Sequence, residues 1–115
     1  MAKGSYLGEF EQLVLITLVR LGGDGYGAQV RREIIASTGR DVALGSVYAT
    51  LDRLETKGYL RSRKSEPLPV PGGRGRRSFV VTPAGQRRLS DALGLLQKLT
   101  DHDFESAMAA LESGS

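Results

Sequence analysis

The sequence predicts a mostly α-helical fold that carries one β-hairpin and closes on a long C-terminal helix. Apolar residues recur at helical spacing in three segments before residue 58 and in a fourth after residue 82. Between them, residues 59–81 alternate with period two around a proline- and glycine-rich centre. Positive charge is concentrated in that same stretch rather than spread along the chain. A length of 115 residues suits a single core that buries roughly two-thirds of the unfolded surface.

The first helix is expected from about Glu9 to Leu21, on the spacing of Phe10, Leu13, Val14, Thr17, Leu18 and Leu21. Glu9 and Glu11 favour its first turn through the helix dipole, and Gly22-Gly23 stops it. It is apolar on several faces, which points to burial against its own domain and a second subunit. A second helix runs from about Gly27 to Ser37, with Val30 and Ile34 inward and Arg31, Arg32 and Glu33 outward. The third, from about Leu44 to Lys57, places Leu44, Val47, Leu51 and Leu54 on one face and leaves Ser46, Tyr48, Ala49, Thr50, Arg53 and Lys57 on the other.

After Gly58, Tyr59-Leu60-Arg61-Ser62-Arg63 and Arg77-Ser78-Phe79-Val80-Val81 form the arms of the hairpin. The three prolines and three glycines of residues 66–75 exclude a helix or an inner strand there. The last helix opens at Thr82-Pro83, an N-cap followed by the first-turn proline that a helix tolerates. Its stripe of Leu89, Leu93, Leu96, Leu99, Phe104, Met108 and Leu111 reaches about Leu111, with a break possible near Asp101-His102-Asp103. A helix of about 28 residues, or about 42 Å, is longer than a small domain needs to cover itself, and a second copy is the simplest partner. The expected division is residues 1–82 and a C-terminal helix at 83–115.

Charge and composition narrow the function. Residues 53–88 hold ten basic side chains against two acidic ones, a density that attracts polyanions. With no cysteine and a single histidine, His102, disulfides, thiol catalysis and Cys- or His-based metal centres are excluded. No nucleophile, base or metal set is visible, so neither an enzyme nor a cofactor is expected. No apolar run reaches the roughly 18 residues of a membrane span, and the first residues lack a signal-peptide core, so a soluble, cytoplasmic protein is expected.

Three helices followed by a hairpin match a winged helix-turn-helix, in which one helix enters the DNA major groove and the hairpin wing follows the backbone or minor groove. Particular segments add a resemblance. Gly8-Glu9-Phe10-Glu11-Gln12-Leu13-Val14-Leu15, Gly25-Tyr26-Gly27 and Gly45-Ser46-Val47-Tyr48-Ala49-Thr50-Leu51-Asp52-Arg53-Leu54-Glu55-Thr56-Lys57-Gly58 resemble PadR-type transcriptional regulators. So do Gly73-Arg74-Gly75-Arg76-Arg77-Ser78-Phe79 and Val81-Thr82-Pro83-Ala84-Gly85. Together these cover roughly residues 8–90. The resemblance implies a homodimeric repressor of double-stranded DNA, with a palindromic operator and the last helix as its dimerisation arm. The first and last helices would be exchanged against the partner. It also implies a small-molecule inducer, although the tryptophan used by some members' aromatic pocket has no counterpart in a chain with no tryptophan.

The DNA-contacting residues expected are Ser46, Tyr48, Thr50, Arg53 and Lys57 on the third helix and Arg63, Lys64, Arg74, Arg76 and Arg77 on the wing. Each has a plainer role beside it. Ser46 serves equally as a helix cap, Tyr48 as a half-buried packing residue, Arg53 as a local ion-pair partner, and the wing arginines as solvated charge. The dimer interface is expected at Phe10, Leu13, Leu89, Leu93, Leu96 and Leu99. The alternative function is a winged-helix adaptor for an acidic protein, which would show no salt-dependent duplex binding.

Overall fold

The computed structural model describes residues 6–64 and 77–114. Its elements run α1 (Glu9–Arg20), β1 (Asp24–Tyr26), α2 (Gly27–Thr38), α3 (Leu44–Thr56), β2 (Leu60–Lys64), β3 (Arg77–Val81), α4 (Pro83–Leu99) and α5 (His102–Ser113). The helical stripes of α1, α2 and α3 converge on one core of Val14, Leu15, Leu18, Val30, Ile34, Val47, Leu51 and Leu54, closed from below by Leu60 and Phe79 of the sheet. Burying one such side chain fully contributes about 1.5–3 kcal/mol.

The hairpin is part of a larger sheet than expected. β1 pairs antiparallel with β3, giving the strand order β1-β3-β2, with Phe79 opposite both Gly25 and Ser62. Three residues are too few for a periodic signal, so β1 exists only because β3 supplies its partner. The Val81 N–H extends that edge by donating to the Gly23 carbonyl at 2.9 Å.

α4 begins where Thr82, its N-cap, accepts the Gly85 N–H at 3.1 Å and donates its hydroxyl to the Gly58 carbonyl at 2.7 Å. The first turn then lies directly on the α3–β2 junction. Gly85 is buried, and an added Cβ there would fall on the Tyr59 carbonyl oxygen. Leu89, expected between subunits, is instead 6% exposed within the protein's own core, because the first turns of α4 pack on α1. Leu93 is half-buried against the same cluster.

The last helix is two helices. The chain breaks at Thr100-Asp101, and the Asp101 carboxylate caps α5 by accepting the Phe104 N–H at 3.0 Å. α5 buries none of its residues, and the molecule measures 63 × 33 × 23 Å. Leu44 departs from expectation in the other direction: it is 42% exposed, since it opens the first turn of α3 beyond the reach of the core.

One buried charge ties the first helix to the third. Glu11 is 6% exposed. Its carboxylate accepts the Gly8 N–H at 2.8 Å and the Lys57 Nζ at 2.8 and 3.1 Å, with Arg53 Nε at 3.9 Å. Burial pushes the carboxyl up, but the Lys57 and Gly8 hydrogen bonds and the charges of Lys57 and Arg53 outweigh it, so it sits below its ordinary value. A depressed carboxylate stabilises the fold fully above the unfolded value of about 4.3 and loses that contribution as pH falls through the lower folded value. Glu11→Gln is therefore expected to cost about 2 kcal/mol at pH 7 and to flatten the loss of stability on acidification to pH 3. Urea midpoints at the two pH values check this, and an equal acid loss in both proteins would refute it.

Candidate nucleic-acid interface

α3 has two faces with different jobs. Val47, Thr50, Leu51 and Leu54 fall at i, i+3, i+4 and i+7 and are all buried. Thr50 thus corrects the expectation of an outward side chain: it is 2% exposed, its place in the inward stripe being set by the packing of α3 on α1 and α2, and its hydroxyl accepts from Arg53 Nη2 at 3.2 Å. The outward face consists of Gly45, Ser46, Ala49, Asp52, Arg53 and Thr56, all exposed. Gly45 and Ala49 are small and were not singled out as site residues, yet they leave this face open to close approach by a partner surface. No side chain caps the N-terminus of α3, so Ser46 lies beside free first-turn N–H groups.

Tyr48 is half-buried, and its ring lies against the start of α2. A Cβ on Gly27 would come within 2.5 Å of the Tyr48 ring and 2.9 Å of its hydroxyl oxygen. Glycine at position 27 is what lets the two helices meet so closely. The position of α2 is fixed further by Arg31, whose Nε donates to the Val42 carbonyl of the α2–α3 link at 2.8 Å.

Several of the expected DNA-contacting cations are engaged within the protein. Lys57 lies at the C-terminal end of α3, is bound to Glu11 and also donates to the Tyr6 carbonyl at 3.3 Å. Arg63 on β2 pairs with Asp24 on β1 at 2.9 Å while its side chain stays 70% exposed. Arg77 on β3 reaches back to α3, pairing with Asp52 at 2.9 Å and with Glu55, and its guanidinium stacks over Phe79 at 4.8 Å. Arg53 near the end of α3 and Arg61 and Lys64 on β2 are exposed. Arg61 was not named as a site residue; its exposed place in the period-two pattern of β2 was the available signal. Arg74 and Arg76 lie outside the described residues.

The Glu55 carboxylate is a second node. It accepts the hydroxyl of Ser62 and the Ser62 N–H, the latter at 3.0 Å, together with Arg77 Nη2. The Ser62 hydroxyl hydrogen bond holds this carboxyl below its ordinary value; burial opposes that, and the Ser62 N–H and Arg77 reinforce it.

The apolar residues expected between subunits divide. Phe10 and Leu13 are half-buried, Phe10 beneath the Arg40 guanidinium at 5.7 Å. Leu96 and Leu99 are 50% and 74% exposed, and Leu95, Phe104, Met108 and Leu111 extend the exposed apolar set along α4 and α5. A groove of about 510 Å³ separates Tyr6, Leu7 and Gln12 from Ala92, Leu95 and Leu96 of α4. No helix among the described residues is long and apolar enough to cross a membrane.

A helix pair whose second member presents a polar outer face, followed by a basic hairpin that joins β1 in a three-stranded sheet, defines a winged helix-turn-helix regulator. Residues 14–91 match the profile of the transcriptional regulator PadR-like family, and the chain belongs to that family. It is similar to the transcriptional regulator Rv3488 of Mycobacterium tuberculosis (strain ATCC 25618 / H37Rv), at 36% identity over 74 residues. That match spans 64% of this chain and 64% of the relative. Among solved structures, the fold is similar to F93 from STIV, a winged-helix DNA-binding protein, with a TM-score of 0.68 and 22% identity over 84% of this chain and 97% of that one. It is similar also to a PadR family transcriptional regulator from Eggerthella lenta DSM 2243, with a TM-score of 0.67 and 24% identity over 86% of each chain.

Proposed function

We propose that the protein is a homodimeric transcriptional repressor that binds a palindromic double-stranded DNA operator and is released from it by a small ligand. The observation that carries this reading is the exposed face of Gly45, Ser46, Ala49 and Arg53 on α3, next to a hairpin rich in arginine. Ser46 and Arg53 are donors suited to phosphates and base edges, and Ala49 suits a thymine methyl group. Tyr48 stands at the border of this face with its hydroxyl toward α2. Arg63, Lys64, Arg74 and Arg76 supply the phosphate contacts of the wing. The relative F93, described as a DNA-binding protein, supports the same assignment.

Residues 1–82 form the DNA-binding part and residues 83–115 the dimerisation helices, with the first turns of α4 belonging to the core of the former. The exposed leucines of α4 and the apolar side of α5 are the surface a second copy would cover. The groove between the N-terminal segment and α4 has the volume of a small-molecule site and is the place we assign to the inducer. A regulator of this kind works in the cytoplasm.

Selection of binding sites from random duplexes at physiological salt tests the function. Inverted half-sites about 34 Å apart are expected; no enrichment of any duplex would refute DNA reading. The wing is tested by salt dependence. Replacing Arg74 and Arg76 together by alanine removes four phosphate contacts per dimer and is expected to reduce the log–log salt slope by about 3–4. An unchanged slope would remove both arginines from the interface.

A further inference from the structure

The wing of this fold leaves the body through two strands, and both of its strands are tied to the same carboxylate on α3. From this geometry we propose that Glu55 is a positioning residue that sets the wing against the recognition helix, with Arg77 as its strut rather than a phosphate contact. The inference rests on the DNA-binding reading above and assigns a task to residues that lie beside the duplex without contacting it.

Glu55 lies in the last turns of α3, one helical turn beyond the exposed Asp52. Its carboxylate takes both the N–H and the hydroxyl of Ser62 in the middle of β2, and Arg77 at the first residue of β3. Arg77 also binds Asp52 at 2.9 Å, and its guanidinium carbon stands 4.8 Å from the ring centre of the fully buried Phe79. The guanidinium is thus held on three sides by α3 and by its own strand. Its planar fork matches two carboxylates at once, which a lysine ammonium does not reproduce.

Two consequences separate a strut from a DNA contact. Arg77 is the cross-strand partner of Lys64, so these two residues form the last described rung before the wing tip. Arg77 is also already neutralised by two carboxylates, so it has little charge left to displace counterions from DNA. Asp52 and Glu55, for their part, place negative charge beside a polyanion. Such charge weakens DNA binding through its field, so its presence at the interface calls for an opposing benefit, and the tie to the wing provides one.

The sign of one mutation decides the matter. Glu55→Gln removes a negative charge from the DNA side of the protein. If Glu55 acted only through its field, operator affinity would rise. If it positions the wing, affinity is expected to fall roughly tenfold, the scale of losing hydrogen bonds to a charged group. Arg77→Lys keeps the charge and loses the fork: a strut predicts a loss close to that of Arg77→Ala, whereas a phosphate contact predicts near-wild-type binding and salt slope.

Amide hydrogen exchange of the protein without DNA gives a readout independent of operator binding. In Glu55→Gln, exchange within residues 60–64 and 77–81 is expected to quicken while α1 stays as protected as in the wild type. Unchanged exchange in both strands, or tighter operator binding by Glu55→Gln, would overturn the proposal. Faster exchange throughout the chain would do so as well, by showing a general loss of stability instead of a local tie. If the wild-type protein binds no duplex, the proposed function fails by itself, and hydrogen exchange alone then decides whether Glu55 holds the two strands.

Discussion

Gly85→Ala is expected to destabilise the protein by about 3 kcal/mol or more and to lower its melting temperature by on the order of 10–20 °C. In most buried helices a glycine-to-alanine change is tolerated or even favourable, because alanine is the better helix former by about 1 kcal/mol. Here the new methyl group has nowhere to go. It would fall on the Tyr59 carbonyl oxygen, and the neighbouring atoms are backbone as well, the Tyr59 carbonyl carbon at 3.0 Å and Cα at 3.1 Å. That backbone cannot retreat easily. The Tyr59 N–H donates to the Leu54 carbonyl at 2.9 Å, and its carbonyl accepts the Thr82 N–H at 3.1 Å. α4 would have to lift from the α3–β2 junction and take Leu89 partly out of the core. Gly45→Ala is the matched control, since nothing lies within 4 Å of a Cβ at that position. Its melting temperature should hold or rise. Similar melting curves for Gly85→Ala and the wild type would show that the close approach of α4 is not a constraint on the fold.

The double variant Leu96→Asp/Leu99→Asp is expected to run as a 12.4 kDa monomer in sedimentation. It should also lose about 10²–10⁴-fold in affinity for a two-half-site operator. Both side chains are at least half exposed in the single chain, so two carboxylates there cost a monomer little. Buried between two copies, the same carboxylates would face each other across an apolar seam without partners. The loss of affinity follows from linkage, because a monomer no longer brings a second recognition helix to the neighbouring half-site at high effective concentration. Binding to an isolated half-site should change little. A variant that remains dimeric would move the dimer interface away from this part of α4.

These two variants also mark where the sequence was readable. Thr82-Pro83 announced the start of α4, and Asp101 sits in the short polar run that was noted as a possible break. The buried Val30 and Ile34 of α2 follow its apolar spacing; in α1 Val14, Thr17 and Leu18 do, whereas Leu15 and Glu11 are buried outside the stripe and Phe10, Leu13 and Leu21 are only half-buried. The burial of α3 departs from its apolar spacing at Leu44 and Thr50. Leu44 is apolar but stands at a helix end with nothing above it, and Thr50 is polar but occupies the inward stripe with its hydroxyl satisfied by Arg53. At both positions helix geometry outweighs residue type. Gly85 was quoted only as part of a family signature, and no local pattern says that a carbonyl from residue 59 will lie against it.

The charges show the same boundary. Composition located the basic block of residues 53–88. It could not sort those cations, because their partners are distant in the chain: Lys57 with Glu11, Arg63 with Asp24, Arg77 with Asp52 and Glu55. The sequence by itself determined the helices, the hairpin arms and the excess of positive charge, all of which depend on neighbours within a few residues. Only the tertiary structure decided which partners the described arginines of residues 63 and 77 take, which face of α3 points outward, and that a third strand exists. Those outcomes depend on groups that folding brings together from far along the chain, the ion-pair partners from 22 to 46 residues apart and Asp24 of β1 with Val80 of β3, and local periodicity carries no record of such meetings.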